Sequence, residues 1–384
     1  DDRGEGGLSK TARFVMFKKP FEEVARAEVF KALEAVTDRE STEAYRVTAR
    51  PQRELLEEGL ETDADDVGAT PRGRPRQAQG PASTGKTRGP LIKTARYIGN
   101  KWGGKYLRAP DIFFTILEKG KGKLVRLGDI AEVRFGIKTG ANDFFYLEPT
   151  GRPAPKGYLH VRNGAGWEGE IEEEFLKPFL FSLKEVERYE VDALNLERKV
   201  LVCLNAKEDL RRKGKEGVLS YIEYGEGQGF HRRPSVRGRR LWYALPKQNP
   251  PDFVSNRFLG ERLGFPFLRD VLVCDVFFVG TFTKADGLTG TALLNSIVSL
   301  LAAEVTSRKT YGIGVAYLYG PEIRGLTVVS PDMLSLEGKQ EIQKAFSSMR
   351  KREILKIEEE VHQPDRRALD EVIFDVLGLT AGER

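Results

Sequence analysis

A chain of 384 residues, 40% hydrophobic and 31% charged with a formal net charge of +5, is long enough for two or three packed domains. Its two cysteines and three widely spaced histidines argue against a disulfide framework and a zinc-type ligand set. The longest apolar run, 292–305, is broken by Asn295, Ser296, Ser299 and Glu304 and is shorter than the roughly 20 residues that cross a bilayer. Residues 12–19 (ARFVMFKK) read as a strand. Residues 20–36 read as an amphipathic helix, with Pro20 at its start and Val24, Val29, Phe30, Leu33 and Val36 on one face. From 57 to 90 large apolar side chains almost vanish, which predicts a flexible basic linker. Strand-like runs follow at 123–127, 143–147, 198–204, 240–245 and 270–280, alternating with helical stretches at 172–187, 215–224 and 291–306. The chain ends in helices over 336–361 and 364–377, with Gly378 as a left-handed cap. Without a steady βαβ rhythm, the expected class is α+β, mixed small sheets with packed helices and C-terminal helices.

Cys203 and Cys274 lie inside apolar runs (VLVCLN and VLVCDVFF) and read as buried thiols of a reducing compartment. No cationic-then-apolar leader opens the chain, so a cytoplasmic protein with no membrane partner is expected. The first residue is Asp1 rather than Met, as expected of a piece of a longer polypeptide.

Three short motifs resemble active-site sequences but lack the elements that make them work. Residues 80–87 (GPASTGKT) match the phosphate-binding loop letter for letter. That loop needs a buried strand before it and a helix after it, whereas RGRPRQAQ precedes and Arg88-Gly89-Pro90 follows. Residues 223–229 (EYGEGQG) copy a glycine-rich S-adenosylmethionine turn, yet Pro234 and five arginines follow where a packed helix is required. They read as a helix end that enters a basic loop. Asn249-Pro250-Pro251-Asp252 approaches the NPPY tetrad that grips a flipped base, but Asp252 cannot stack on one. With so few His and Cys, no nucleophile–base pair is credible.

Charge is concentrated in two blocks. Residues 71–110 carry ten Lys or Arg and no acid, and 198–247 carry thirteen bases against five acids. Such blocks attract polyanions through counterion release, or else are solvated surface. Gly136 and Gly140 permit a tight turn that could approach phosphate, where Lys138, Thr139 and Asn142 offer a cation, a hydroxyl and an amide. An ordinary polar hairpin turn is the alternative. Around 230–243, Arg232, Arg233, Arg237, Arg239 and Arg240 interleave with Phe230, His231, Trp242 and Tyr243. The arginine forks suit phosphate or guanine, and Trp242 and Tyr243 suit a core. A third candidate is Arg308 with Lys309, either a DNA contact or a helix cap that complements the dipole.

Read in order, several segments resemble one family. KYLRAPDIFFTIL and LGDIAEVRFGIKTGANDFFYL are followed by FLKPFLFSLKEVERYE, read as a short helix, and YIEYGEGQGFHRRPSVRGRRLWYALP, read as a helix, basic loop and Trp-Tyr strand. LLNSIVSLLAAEVTSRKTYGIGVAYLYGPEIRGLTVV and DRRALDEVIFDVLGLT complete the set. The set resembles the C-terminal target-recognition region of Taq-type adenine-specific (N-6) DNA methyltransferases and the related fused restriction–modification enzymes. The resemblance covers about 97–380, and residues 12–19 are similar to the last strand of that family's catalytic domain. It implies a remnant of the catalytic domain over 1–56, the linker 57–90, a DNA target-recognition domain over 91–335 and a C-terminal helical segment over 336–384. It also implies that the chain reads double-stranded DNA without catalysing methyl transfer. S-adenosylmethionine and the flipped adenine would belong to the methyltransferase domain of the same parent chain, which is the second expected partner. The rival readings are a complete small methyltransferase and a non-catalytic protein-interaction module.

Overall fold

The computed structural model describes residues 10–58, 60–62, 95–97, 102–246, 249–255, 257–309 and 316–384. The 80–87 motif, most of the 71–110 basic block and most of the expected linker lie outside them. The linker's first residues are ordered, closing the helix Gln52–Glu58 and forming a strand, Leu60–Thr62, that pairs with Ala95–Tyr97. Contacts divide the chain into two units, Asp1–Thr115 with Glu304–Arg308, and Ile116–Ala303 with Lys309–Arg384.

In the first unit, the strand expected over 12–19 forms as Thr11–Phe17. It pairs antiparallel with Tyr45–Pro51, which pairs in turn with Arg39–Ser41. The helix expected over 20–36 breaks into Phe21–Val24 and Ala27–Ala35. At Ala25 (φ −73°, ψ 66°) the chain makes an inverse γ-turn, in which the Arg26 amide donates to the Val24 carbonyl at 2.8 Å. The break rotates the second helix, so Leu33 and Val36 reach the core with Tyr45 and Val47 while Phe30 is left exposed.

The second unit is α+β, as expected. A six-stranded mixed sheet runs Glu168–Glu172, Tyr158–Asn163, Tyr146–Pro149, Lys199–Leu201, Leu176–Leu180, Leu272–Val273. A five-stranded sheet runs Glu190–Val191, Phe267–Leu268, Phe253–Ser255, Phe278–Phe282, Ala131–Phe135. Four local expectations are corrected here. Residues 143–147 are not all strand: Asn142–Phe145 is one helical turn, and the strand starts at Tyr146. The turn buries both Phe144 and Phe145, with their rings at 87°. Residues 240–245 form turns instead of a strand, and Trp242 and Tyr243 are both buried with rings at 89°. The helix expected over 172–187 is replaced by the strand Leu176–Leu180 between 3₁₀ turns. Pro178 inside that stretch disfavours a helix interior. The stretch 270–280 holds two strands, because Asp270 adopts φ 54° and the chain turns again at 275–276.

The apolar helix expected over 291–306 bends by 62° between Gly287–Leu294 and Ile297–Thr306. Asn295 causes the break by bonding both the amide and the carbonyl of Phe265 at 2.8 Å. No single described helix is long and apolar enough to cross a membrane. The helices Leu336–Met349 and Pro364–Leu377 pack together, the second with Pro364 in its first turn and Gly378 at φ 70° as its cap. The helix expected to run through 350–361 is instead a loop and the short helix Ile357–Glu360.

In the first turn of the helix Pro364–Leu377, Arg366, fully buried, donates to Glu360 Oε1 at 3.2 Å, to the Tyr189 hydroxyl at 2.8 Å and to the Asn295 carbonyl. Arg352 holds Glu360 and Asp365 through four bonds of 2.7–2.8 Å. Asp370 accepts from the Ile297 amide at 2.8 Å. Burial pushes its carboxyl up to about 6, with Arg366 opposing the shift and Glu360 and Glu371 reinforcing it. The folded state therefore keeps this proton to higher pH than the unfolded chain. Its stabilising contribution is complete below about pH 4 and is lost as pH rises through about 6. Asp370→Asn keeps an acceptor for Ile297 and is expected to exceed the parent in melting temperature at neutral pH. The two melting curves should converge near pH 4, and a constant offset across that range would contradict this account.

Candidate nucleic-acid interface

The two sequence-predicted segments at 136–143 and 230–240 fold against each other in the second unit. Gly136 is buried, and a side chain there would strike the carbonyls of Val273 and Cys274. Its lack of a side chain serves sheet packing rather than approach to phosphate. Gly140 is exposed at φ 77° and lets the turn reverse against Ser235, whose hydroxyl donates to the Gly140 carbonyl at 2.6 Å. Thr139 is buried; its hydroxyl donates to Asn142 Oδ1 and accepts from the Ala141 amide at 3.2 Å. Thr139 therefore holds Asn142 in place and is not itself presented.

The basic stretch begins where the helix Glu216–Gly227 ends and Gly229, at φ 77°, redirects the chain. Val236 is buried, and Phe230, Trp242 and Tyr243 anchor the stretch in the core. The Phe144 ring lies 5.3 Å from Phe230 and 4.7 Å from Trp242, so both segments share one aromatic cluster.

The arginines divide by role. Arg233 forms a two-pronged pair with Asp143, at 2.5 and 2.7 Å, and covers the Phe230 ring at 4.3 Å. The Arg233 hydrogen bonds hold the Asp143 carboxyl below its usual range, and the same bonds keep the guanidinium more firmly charged. Arg239 donates to the carbonyls of Thr139 at 2.7 Å and Lys138 at 3.4 Å. Arg232, Arg237, Arg240, Lys138 and Asn142 are exposed. Among the described residues no acid pairs with these four cations. Lys138 lies over the Phe135 ring at 4.6 Å, and Arg232 leans on His231.

Arg308 and Lys309 form a two-residue strand that follows the helix Ile297–Thr306 in sequence. Tyr311, Gly312 and Gly314 beyond them lie outside the described residues. Sequence reading missed Asp143 and Ser235. Their partners are 90 and 95 residues away, a distance at which no local pattern signals pairing.

The remaining motifs have packing roles. In 223–229 the chain is helical to Gly227, Glu223 pairs with Arg211 and Glu226 with Lys207. A Cβ at Gly225 would come within 2.6 Å of the Phe144 and Trp242 rings, so that glycine serves helix packing. Asn249 gives its carbonyl to Arg134 at 2.8 Å, and Asp252 accepts from the Phe282 amide at 2.7 Å. Cys203 and Cys274 are buried, and burial raises both thiols above their ordinary range. No cluster of three or more His, Cys, Asp or Glu suited to a metal occurs among the described residues.

Residues 181–364 match the family model for the C-terminal domain of the type II methyltransferase M.Eco57I. The resemblance to the C-terminal region of a restriction–modification enzyme is thus supported over a segment that includes the arginine-rich stretch and begins after the 136–143 turn. The solved structure of the type IIG restriction endonuclease BpuSI matches with a TM-score of 0.37 and 10% identity, covering 96% of this chain and 47% of that one. The chain therefore spans about half the length of that enzyme. No curated protein matches.

Proposed function

We propose that this chain is the part of an adenine-specific DNA methyltransferase of a restriction–modification system that recognises double-stranded DNA. The observation that carries this reading is the exposed set Lys138, Arg232, Arg237 and Arg240 beside Asn142, held on a braced double segment. Cations supply sequence-independent phosphate attraction, and an exposed amide next to arginine forks suits base edges. Arg308 and Lys309 form a further candidate contact. In this reading S-adenosylmethionine and the reacting adenine are bound by a methyltransferase domain elsewhere in the parent chain. The helical course of 216–227 and the structural use of Asp252 disfavour a complete small methyltransferase.

The test is fluorescence anisotropy of the chain with a labelled duplex across a salt series. Tight binding at low salt is expected, with log K falling against log salt at a slope of roughly −3 to −4, as four neutralised phosphates require. Indifference to duplex DNA at low salt would overturn the proposal and favour a protein-interaction module with an acidic partner.

A further inference from the structure

We infer that Asp143 is a positioning residue whose carboxylate clasps the arginine-rich stretch to the 138–142 turn, making one composite DNA-reading surface from two segments distant in sequence. The inference rests on the reading of this face as the DNA-binding surface.

An acid in the middle of a DNA-binding face is unfavourable in itself, because it repels the phosphates that the neighbouring cations attract. Asp143 is nevertheless the residue that fixes Arg233 by two parallel bonds, the strongest geometry available to a carboxylate and a guanidinium. Two further clasps run beside it, Ser235 to the Gly140 carbonyl and Arg239 to the carbonyls of Thr139 and Lys138. All three join the same pair of segments. Asp143 also directly follows Asn142 in a single helical turn, so the carboxylate anchors the backbone that presents the exposed amide. Arg233 is thereby committed to Asp143 and Phe230, while Arg232 and Arg237 on either side project outward.

Charge and position predict opposite signs for one substitution. Asp143→Asn removes a negative charge from a basic face with almost no change in shape. If the carboxylate were incidental, duplex affinity would rise. If it positions the stretch, affinity for the cognate sequence falls on the order of tenfold, while affinity for unrelated duplex changes little because the exposed cations remain. The experiment measures the Asp143→Asn and Arg233→Ala variants and their double variant against the parent chain, with cognate and scrambled duplexes and a thermal melt of each. A cognate site is first selected from random duplexes with the parent.

The expected outcome is a loss of discrimination in either single variant and no further loss in the double, with Asp143→Glu restoring part of it. Unchanged or tighter cognate binding by Asp143→Asn would overturn the inference, as would additive losses in the double variant. Failure of the parent chain to bind any duplex would instead overturn the functional reading itself.

Discussion

Replacing Arg232, Arg237 and Arg240 together with alanine is expected to lower duplex affinity on the order of a hundredfold at physiological salt. The salt slope should become shallower by about 2.7, since each phosphate contact contributes roughly 0.9 and the electrostatic factor scales as salt raised to that power. All three side chains are exposed, and among the described residues their one internal contact is a long, exposed bond from Arg232 to the His231 ring at 3.4 Å. The melting temperature of the triple variant should therefore match the parent. Arg239→Ala is a different experiment. Its guanidinium closes two backbone carbonyls of the 138–139 turn, and burial makes its charged form harder to hold. Stability falls there as well as binding. If the triple variant kept parental affinity and slope, these arginines would not form the phosphate contacts, whatever else the chain binds.

The second large effect concerns folding. Arg366→Ala is expected to destabilise the second unit by about 3–5 kcal/mol, the range for removing one partner of a buried ion pair. Glu360 and the Asn295 carbonyl would lose a donor in a region with no access to water. Arg352 still grips Glu360, which keeps the loss from being larger. Thermal melts followed by circular dichroism check this, and an unchanged midpoint would show that the pair is replaceable by solvent. Duplex binding just below the lowered midpoint should be retained, since none of these groups lies in the 136–143 or 230–240 segments.

Sequence reading succeeded where a local signal and the tertiary need agreed. Pro364 and Gly378 mark both ends of the last helix because their backbone preferences act within one turn. The first strand is legible from its short apolar run, Phe14 to Phe17. It failed at Phe144-Phe145 and Trp242-Tyr243, where successive aromatics mimic a buried strand but are buried through a turn. It also failed at 172–187, where the strand Leu176–Leu180 takes its hydrogen bonds from partners 19 and more residues away. At the candidate site composition identified the basic stretch, but treated its arginines as equivalent. Only the long-range pairing with Asp143 and the 138–139 carbonyls separates those that brace from those that face outward.

The shared aromatic cluster under both segments has a consequence for how specificity could change. Phe144, Phe230 and Trp242 fix the frame from below, whereas Lys138, Arg232 and Arg237 are exposed above it. These exposed side chains can therefore be exchanged at little cost to folding, whereas Asn142 accepts from the buried Thr139 hydroxyl and is tied to the frame. A frame of that kind behaves as an interchangeable type-holder. New target sequences become reachable through a handful of surface substitutions, and a library randomised at those three positions would sample altered readers while sparing the fold.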